Sequence, residues 1–165
     1  MDILERHRRA VREFLARPPF GYRNLSEEEL DLFSAATIHD SFSNEHNLKS
    51  NYERLEFLGD AVLEFSACKH IYENTDFTEG DMTAEKQKIV CNNSISRAVL
   101  ESGLNLDEVI VTGKGHADPV TGECEINETM RSDAFEAVLG AVCLTKGIEE
   151  AERIVTAILI NQTRI

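Results

Sequence analysis

Apolar residues return at helical spacing along almost the whole chain, and this pattern limits the possible folds more than any other feature. Hydrophobic side chains recur every three or four positions, which is the period of an amphipathic α-helix. The longest strand-like stretch is the short segment Val109–Val111. A chain of 165 residues is long enough to form one compact core. We therefore expect a single all-α domain over residues 1–165, without a sheet or a linker.

Local start and stop signals divide this pattern into separate helices. Pro18-Pro19 ends the first helix, and Ser26 with Glu29 forms a capping box that opens the second. Glycines at 103 and 147 end later helices. The predicted helices are 3–15, 26–36, 52–73, 82–102 with a bend near 92–93, 129–146 and 148–161, with a short helical turn at 106–109 and loops at 40–51 and 112–128.

The long helix predicted from Tyr52 carries an acidic seam. At about 100° per residue, its four acids fall within roughly 80° of one another, and its apolar residues fall on the opposite face. Neighbouring like charges at this spacing cost about 0.2–0.5 kcal/mol per pair, and a merely solvated face more often alternates in sign. The acids are Glu53, Glu56, Asp60 and Glu64, and the apolar residues are Leu55, Leu58, Val62 and Phe65.

A second acidic pair lies on the helix predicted from Thr129. Asp133 and Glu136 are three residues apart, and the small residues Ala137 and Gly140 flank them, so another helix could approach closely there. Facing acids require a cation, and oxygen ligands without His or Cys select Mg²⁺ first and Mn²⁺ next. Such ions suit phosphodiester hydrolysis. The alternative, that these acids are an ordinary solvated face, stays open on this pattern alone.

Several motifs together resemble the ribonuclease III family. Residues 53–63 read ERLEFLGDAVL, which is the core of the family signature. The segment 37–42 is similar to its THxS(F/Y) motif, 79–83 to its EGxLT turn, and 132–141 to its DxxEAxxGA helix. The motifs occur in the family's order, and the resemblance covers roughly residues 25 to 160, which is a whole nuclease domain.

The resemblance implies a chemistry and an assembly. The family's four metal-binding catalytic acids would be Glu56, Asp60, Asp133 and Glu136, with Glu136 a direct ligand of Mg²⁺. The family forms symmetric homodimers that cut double-stranded RNA into products with 5′-phosphates, 3′-hydroxyls and short 3′ overhangs. Two alternatives remain: a catalytically silent RNA-binding or ribosome-associated scaffold of the same fold, and a helical hydrolase that acts on nucleotides.

Other positions carry weaker expectations. The resemblance places Glu53 and Glu79 near the RNA or the subunit interface. Lys86 stands where the family usually has Arg, and Lys86 and Lys88 are candidate RNA contacts. Lys114, in the glycine-containing 112–128 loop, is a candidate contact to the RNA backbone.

Two further features depart from the family pattern. Tyr52 stands between the Asn and the Glu of the signature. The chain also ends at Ile165, without the roughly 70 residues of the double-stranded-RNA-binding domain that the common bacterial form appends. We therefore expect a catalytic domain without that appendage.

Charge and cysteine content bear on partners and location. Lys+Arg 17 against Asp+Glu 30 give a formal net charge of −13, which argues against nucleic acid unless cations neutralise the acidic seams. The four cysteines show no C-x-x-C spacing, so reduced thiols are expected. The N-terminus has no apolar core of signal-peptide length, and no apolar run approaches the roughly 20 residues of a membrane helix. These features favour a cytoplasmic protein with no membrane partner.

Overall fold

The computed structural model describes residues 2–117, 121–122 and 124–162, and within these ranges the architecture is all-α, as predicted. Isolated bridges, such as Ile38 with Val111, are the only β-type pairing in this part of the chain. Short 3₁₀ turns occupy Leu106–Glu108, Lys114–His116 and Ile160–Gln162. The helices are α1 (Ile3–Leu15), α2 (Glu27–Ala35), α3 (Asp40–Glu45), α4 (Glu53–Asn74), α5 (Glu79–Val90), α6 (Asn92–Glu101), α7 (Glu128–Lys146) and α8 (Ile148–Ile158).

Helix α7 runs through the centre of the molecule. It packs against α2, α4, α6 and α8, and Ala134, Phe135 and Leu139 are fully buried. A helix that is apolar nearly all round is one that other helices surround. The two acids of α7 therefore project from a helix that is buried along most of its length, and not from a loop.

Most predicted helix boundaries are confirmed within one or two residues. Helix α2 begins with the predicted capping box, in which the Glu29 N–H donates to Ser26 Oγ at 3.1 Å and the Ser26 N–H donates to the Glu29 carboxylate at 2.9 Å. Gly147, with φ of +94°, separates α7 from α8, because a side chain is disfavoured at that backbone angle. The expected long helix after Tyr52 is α4.

The structure differs from the sequence prediction at three places. The expected 40–51 loop contains α3, because the His39 ring caps it by accepting from the Ser41 N–H. The expected helix at 82–102 is two helices, α5 and α6, because Cys91 has extended backbone (φ −76°, ψ 147°). Phe65, expected on the buried face of α4, is 52% exposed and lines a cavity between α4 and α5. Residues 118–120 and 123 of the predicted 112–128 loop lie outside the described residues.

Among the described residues, none of the helices has the length and apolar character needed to cross a bilayer.

Candidate metal centre

Two glycines allow α4 and α7 to cross at close range. A Cβ at Gly59 of α4 would overlap the carbonyl oxygen of Glu136, and a Cβ at Gly140 of α7 would overlap the carbonyl oxygen of Leu55. The two backbones are therefore in direct contact, and only glycine fits at either position. This crossing brings the acidic seam of α4 against the acidic pair of α7. The sequence prediction that small residues beside Asp133 and Glu136 admit a second helix is confirmed.

Three carboxylates meet at this crossing. One oxygen each from Glu56, Asp133 and Glu136 lies within 4.8 Å of the others, which is a spacing that one cation could bridge. Asp60, the fourth predicted acid, is exposed and falls outside this group. The charge of Asp60 still contributes to raising the pKa values of Glu136 and Glu56. The structure thus brings three of the four acids to one point and leaves Asp60 at its edge.

The three clustered carboxyl groups are costly to ionise together. Burial, followed by the charges of Asp60, Asp133, Glu56 and Glu64, raises the pKa of Glu136 to about 8. Burial and the neighbouring carboxylates raise the pKa of Glu56 to about 7. Burial also raises the pKa of Asp133. A bound cation would reverse these effects, because it favours the charged form of each acid.

No lysine, arginine or histidine among the described residues forms an ion pair with these four acids. Glu136 is only 7% exposed, yet neither it nor Glu56, Asp60 or Asp133 forms an ion pair or a side-chain hydrogen bond with any described residue. Buried charges in proteins are ordinarily paired or coordinate a metal. The donor set is all oxygen, which fits a hard divalent ion such as Mg²⁺ or Mn²⁺ and not a soft one.

The two additional acidic positions lie outside the cluster. Glu53 is exposed at the first turn of α4, where the Asn51 side chain donates to its carboxylate at 3.2 Å, and it lines an apolar groove beside Phe57. Glu79 is the first residue of α5, and its carboxylate accepts from the Thr83 hydroxyl at 3.2 Å. Glu79 lines the separate cavity between α4 and α5.

The three candidate lysines have different surroundings. Lys86 is 19% exposed, and its Nζ lies 2.5 Å from Glu64, the last acid of the seam. Lys88 is 68% exposed and pairs with Glu85 within α5. Lys114 is 93% exposed, with its Nζ 3.8 Å from Glu45. Lys86 is therefore a fixed part of the rim of the acidic centre, whereas Lys88 and Lys114 are surface cations.

Two residues near the acids were not given a role by the sequence prediction. The Tyr52 side chain is 5% exposed, and burial, followed by the charges of Asp133 and Glu56, raises the pKa of its phenol above the ordinary value. His39 contacts Tyr52 edge to face, with ring centroids 5.4 Å apart. One sequence feature could have pointed to Tyr52: it stands one helical turn before Glu56, which places both residues on the same face of α4.

The described residues thus form an all-helical domain in which carboxylates from two crossing helices converge on a candidate cation site. Comparison with known proteins narrows the class of protein further. The Ribonuclease-III-like family matches residues 29–163. The chain belongs to the ribonuclease-III-like family.

Named relatives agree with this assignment. The chain is 34% identical over 151 residues to Ribonuclease 3 of Staphylococcus aureus strain JH9, and equally to that of strain Newman. Each alignment covers 90% of this chain and 58% of the relative, so the chain spans somewhat more than half the length of these proteins.

Solved structures agree at the level of the fold. The chain superposes on the nuclease domain of ribonuclease III from Campylobacter jejuni with a TM-score of 0.72 at 26% identity, covering 98% of this chain and 99% of that one. A second structure of that nuclease domain gives 0.69 at 27% identity, covering 100% and 99%. The first of these structures concerns flexibility in a region involved in dimer formation of the C. jejuni domain.

Proposed function

We propose that the chain is the catalytic domain of an endoribonuclease that cleaves double-stranded RNA by Mg²⁺-dependent phosphodiester hydrolysis. The observation that carries the proposal is the cluster of Glu56, Asp133 and Glu136, whose carboxylate oxygens lie within 4.8 Å of one another and form no ion pair with any described residue. A fold maintained without function has no use for mutually repelling, buried carboxylates. Family membership over residues 29–163 supports the same activity.

In this proposal Glu56, Asp133 and Glu136 hold Mg²⁺, or Mn²⁺ in its place, and Asp60 contributes from the edge of the cluster. When bound, the ion would activate a water and stabilise the departing 3′ oxygen. The carboxylates must lose their protons first, so protons and the divalent ion compete for the same oxygens. Attack on the phosphorus in line with the 3′ oxygen gives 5′-phosphate and 3′-hydroxyl ends.

We infer that the active form is a homodimer with one centre in each protomer. Phe57, at 83%, is the most exposed large apolar residue among those described, and it borders a groove of about 860 Å³ that Leu58 and Leu144 also line. An exposed aromatic beside a groove lined by both apolar and polar side chains favours a protein interface. Two centres in one dimer would cut both strands of a duplex and leave short 3′ overhangs, and Glu53 would lie at this interface.

The charge of the chain bears on how RNA would bind. With a net charge of −13, the domain repels phosphates except where cations are present, so binding should depend strongly on Mg²⁺. Lys114 and Lys88 are the exposed cations that this proposal places toward the RNA backbone. A-form shape and 2′-hydroxyl contacts would select RNA over DNA. RNA is made and processed inside the cell, so the proposal places the protein in the cytoplasm.

A cleavage assay separates the proposal from the silent scaffold. We expect a perfect RNA duplex to be cut in Mg²⁺ by the wild-type chain, and the matching DNA duplex to stay intact. Glu136→Gln keeps the size of the side chain, so it should preserve folding. It removes the negative charge, so it should abolish cleavage. A mobility shift without cleavage in Mg²⁺ or Mn²⁺ would favour the scaffold, and hydrolysis of only a small phosphoester would favour the nucleotide hydrolase.

A further inference from the structure

Arg131 is a buried cation near the start of α7, two residues before Asp133. Among the described residues it is the only lysine or arginine that is buried, with 8% of its surface exposed. Arginine is rarely buried unless its guanidinium is paired and hydrogen-bonded. The partners of this side chain therefore show what it holds together.

The guanidinium of Arg131 joins α7 to three other segments. Its Nε and Nη2 donate to the two carboxylate oxygens of Asp107, at 2.7 and 2.5 Å, in the 3₁₀ turn Leu106–Glu108. Its Nη1 donates to the Ser96 hydroxyl of α6 at 2.8 Å, and Nη2 also donates to the Ile126 carbonyl at 2.9 Å, just before α7 begins. A bidentate arginine–carboxylate pair has a fixed geometry, so these hydrogen bonds fix the rotation of α7 at this residue.

The crossing with α4 fixes α7 at a second point, beyond Asp133. This crossing begins at the Glu136 backbone, three residues after Asp133. The fully buried Phe135 packs between the two points, but apolar packing is non-directional. The turn of α7 that carries Asp133 is therefore held from both sides, by the crossing and by Arg131.

The other basic residue of α7 gives a comparison at the far end of the helix. Lys146 is the last residue of α7, and its Nζ lies 2.5 Å from Glu29 of α2. This ion pair also fastens α7 to another element, but it does so far beyond the crossing. It therefore stabilises the same helix without bordering the acidic cluster.

We propose that Arg131 is a positioning residue of the metal centre, which fastens the turn of α7 that carries Asp133 so that this carboxylate meets the other two of the cluster. The inference rests on the proposed function, because it requires a cation between α4 and α7. Metal ligands must be held to within about 0.5 Å of their productive geometry. A looser turn would let Asp133 move away from the ion, while Glu136 stays in place at the crossing.

The first test measures the Mg²⁺ affinity of the full chain by calorimetry, without RNA. Arg131→Lys keeps the positive charge but loses the bidentate geometry, so we expect it to bind Mg²⁺ about tenfold more weakly, as when residues that orient metal ligands are removed. Lys146→Met is the matched control, which should lower the free energy of unfolding and leave Mg²⁺ affinity unchanged. Unchanged affinity in folded Arg131→Lys, or an equal loss in both variants, would overturn the proposal.

The second test breaks the same link from outside α7 and does not depend on the folding of Arg131→Lys. The Asp107 side chain is 35% exposed, and Asp107→Asn removes one of the two oxygens that accept from Arg131. Glu108→Gln is the matched control, because it removes the same charge one residue further on, from a carboxylate that pairs with Arg17 instead. We expect only Asp107→Asn to weaken Mg²⁺ binding. Equal affinities in the two variants would overturn the proposal, since a long-range effect of charge acts on both.

A third measurement needs no metal. In EDTA, hydrogen exchange in Arg131→Lys should be faster at the amides of residues 131–135, because local opening of this turn becomes easier, and unchanged at residues 137–142. Equal acceleration along the whole of α7 would show that Arg131 stabilises the helix in general. That result, or unchanged exchange at residues 131–135, would overturn the proposal.

Failure of the underlying function would look different. If the carboxylates do not form a metal site, the wild-type chain does not bind Mg²⁺ in calorimetry, and Glu136→Gln changes nothing. If only the role of Arg131 is wrong, the wild type binds Mg²⁺, Glu136→Gln abolishes binding, and Arg131→Lys behaves as Lys146→Met does.

Discussion

Glu136 is the acid whose charged form is most disfavoured by its surroundings in the folded chain. It is 7% exposed, and four carboxylates act on it. Its pKa of about 8 in the folded chain stands against an ordinary value of 4.5. Between these values the folded state holds a proton that the unfolded state has lost, so stability is full below pH 4.5 and falls as pH rises toward 8. A bound divalent cation removes the penalty.

This conflict predicts how stability changes with pH in the metal-free chain. In EDTA we expect the free energy of unfolding of the wild type to fall as pH rises from about 5 to 8, because over this range Glu136 stays largely protonated in the folded chain and is ionised in the unfolded chain; Glu56, with its pKa of about 7, adds to the fall up to about pH 7. Glu136→Gln should flatten this fall and be more stable than the wild type at pH 8. Urea unfolding at each pH measures it, and an equal slope in the variant would contradict the assignment.

The two lysines of α5 offer a second comparison between single residues. Ile89 is the only fully buried residue of α5, so the contact of Lys86 with Glu64 is a principal link between this helix and α4. Lys86→Ala should speed hydrogen exchange of the α5 amides severalfold, because local opening becomes easier. Lys88→Ala is the matched control, since its pair with Glu85 lies within α5. Equal protection in both variants would show that the Lys86 contact does not hold the helix.

At the scale of elements, the crossing of α4 and α7 is the feature on which the centre depends. Gly59→Ala places a methyl group on the Glu136 carbonyl, and the resulting separation of the helices should cost about 3 kcal/mol, the upper end of the usual range for overpacking, and weaken Mg²⁺ binding. Gly80→Ala, on α5, meets no atom within 4 Å, so it should gain at most about 1 kcal/mol of helix propensity. Thermal unfolding of the two variants checks this, and similar melting temperatures would contradict the close crossing.

The crossing of α4 and α7 also shows how much of the fold and of the site can be predicted from the sequence. Regular helical periods, the Ser26–Glu29 cap and small residues beside acids are local signals, so the helices, their crossing and the acidic cluster were predictable. The exposure of Phe65 was not predictable, because a helical wheel does not show which side of α4 the short, weakly buried α5 leaves uncovered. The cap that His39 gives to α3 and the extended backbone at Cys91 depend on individual dihedral angles, which no periodicity encodes.

At the scale of the whole molecule, the exposed apolar surface leads to a prediction about how copies of the chain assemble. Phe57→Asp puts a charge at the exposed aromatic beside the groove, and we expect it to convert a wild-type dimer into a monomer in sedimentation velocity. Phe65→Asp is the matched control, since Phe65 is also exposed but lines the other cavity. Dissociation by Phe65→Asp alone would move the interface to the α4–α5 side.

The net charge of −13 is also a property of the whole molecule. Part of it lies in the seams of α4 and α7, where cations would neutralise it, and we expect the rest to make any RNA complex weak without divalent ions. The central claim is therefore that one ion bridges the two helices. Anomalous diffraction from crystals soaked in Mn²⁺ tests it most directly. We predict a peak within coordination distance of Glu56, Asp133 and Glu136, absent in Glu136→Gln; a chain that cuts duplex RNA in Mn²⁺ without a peak there would contradict the account.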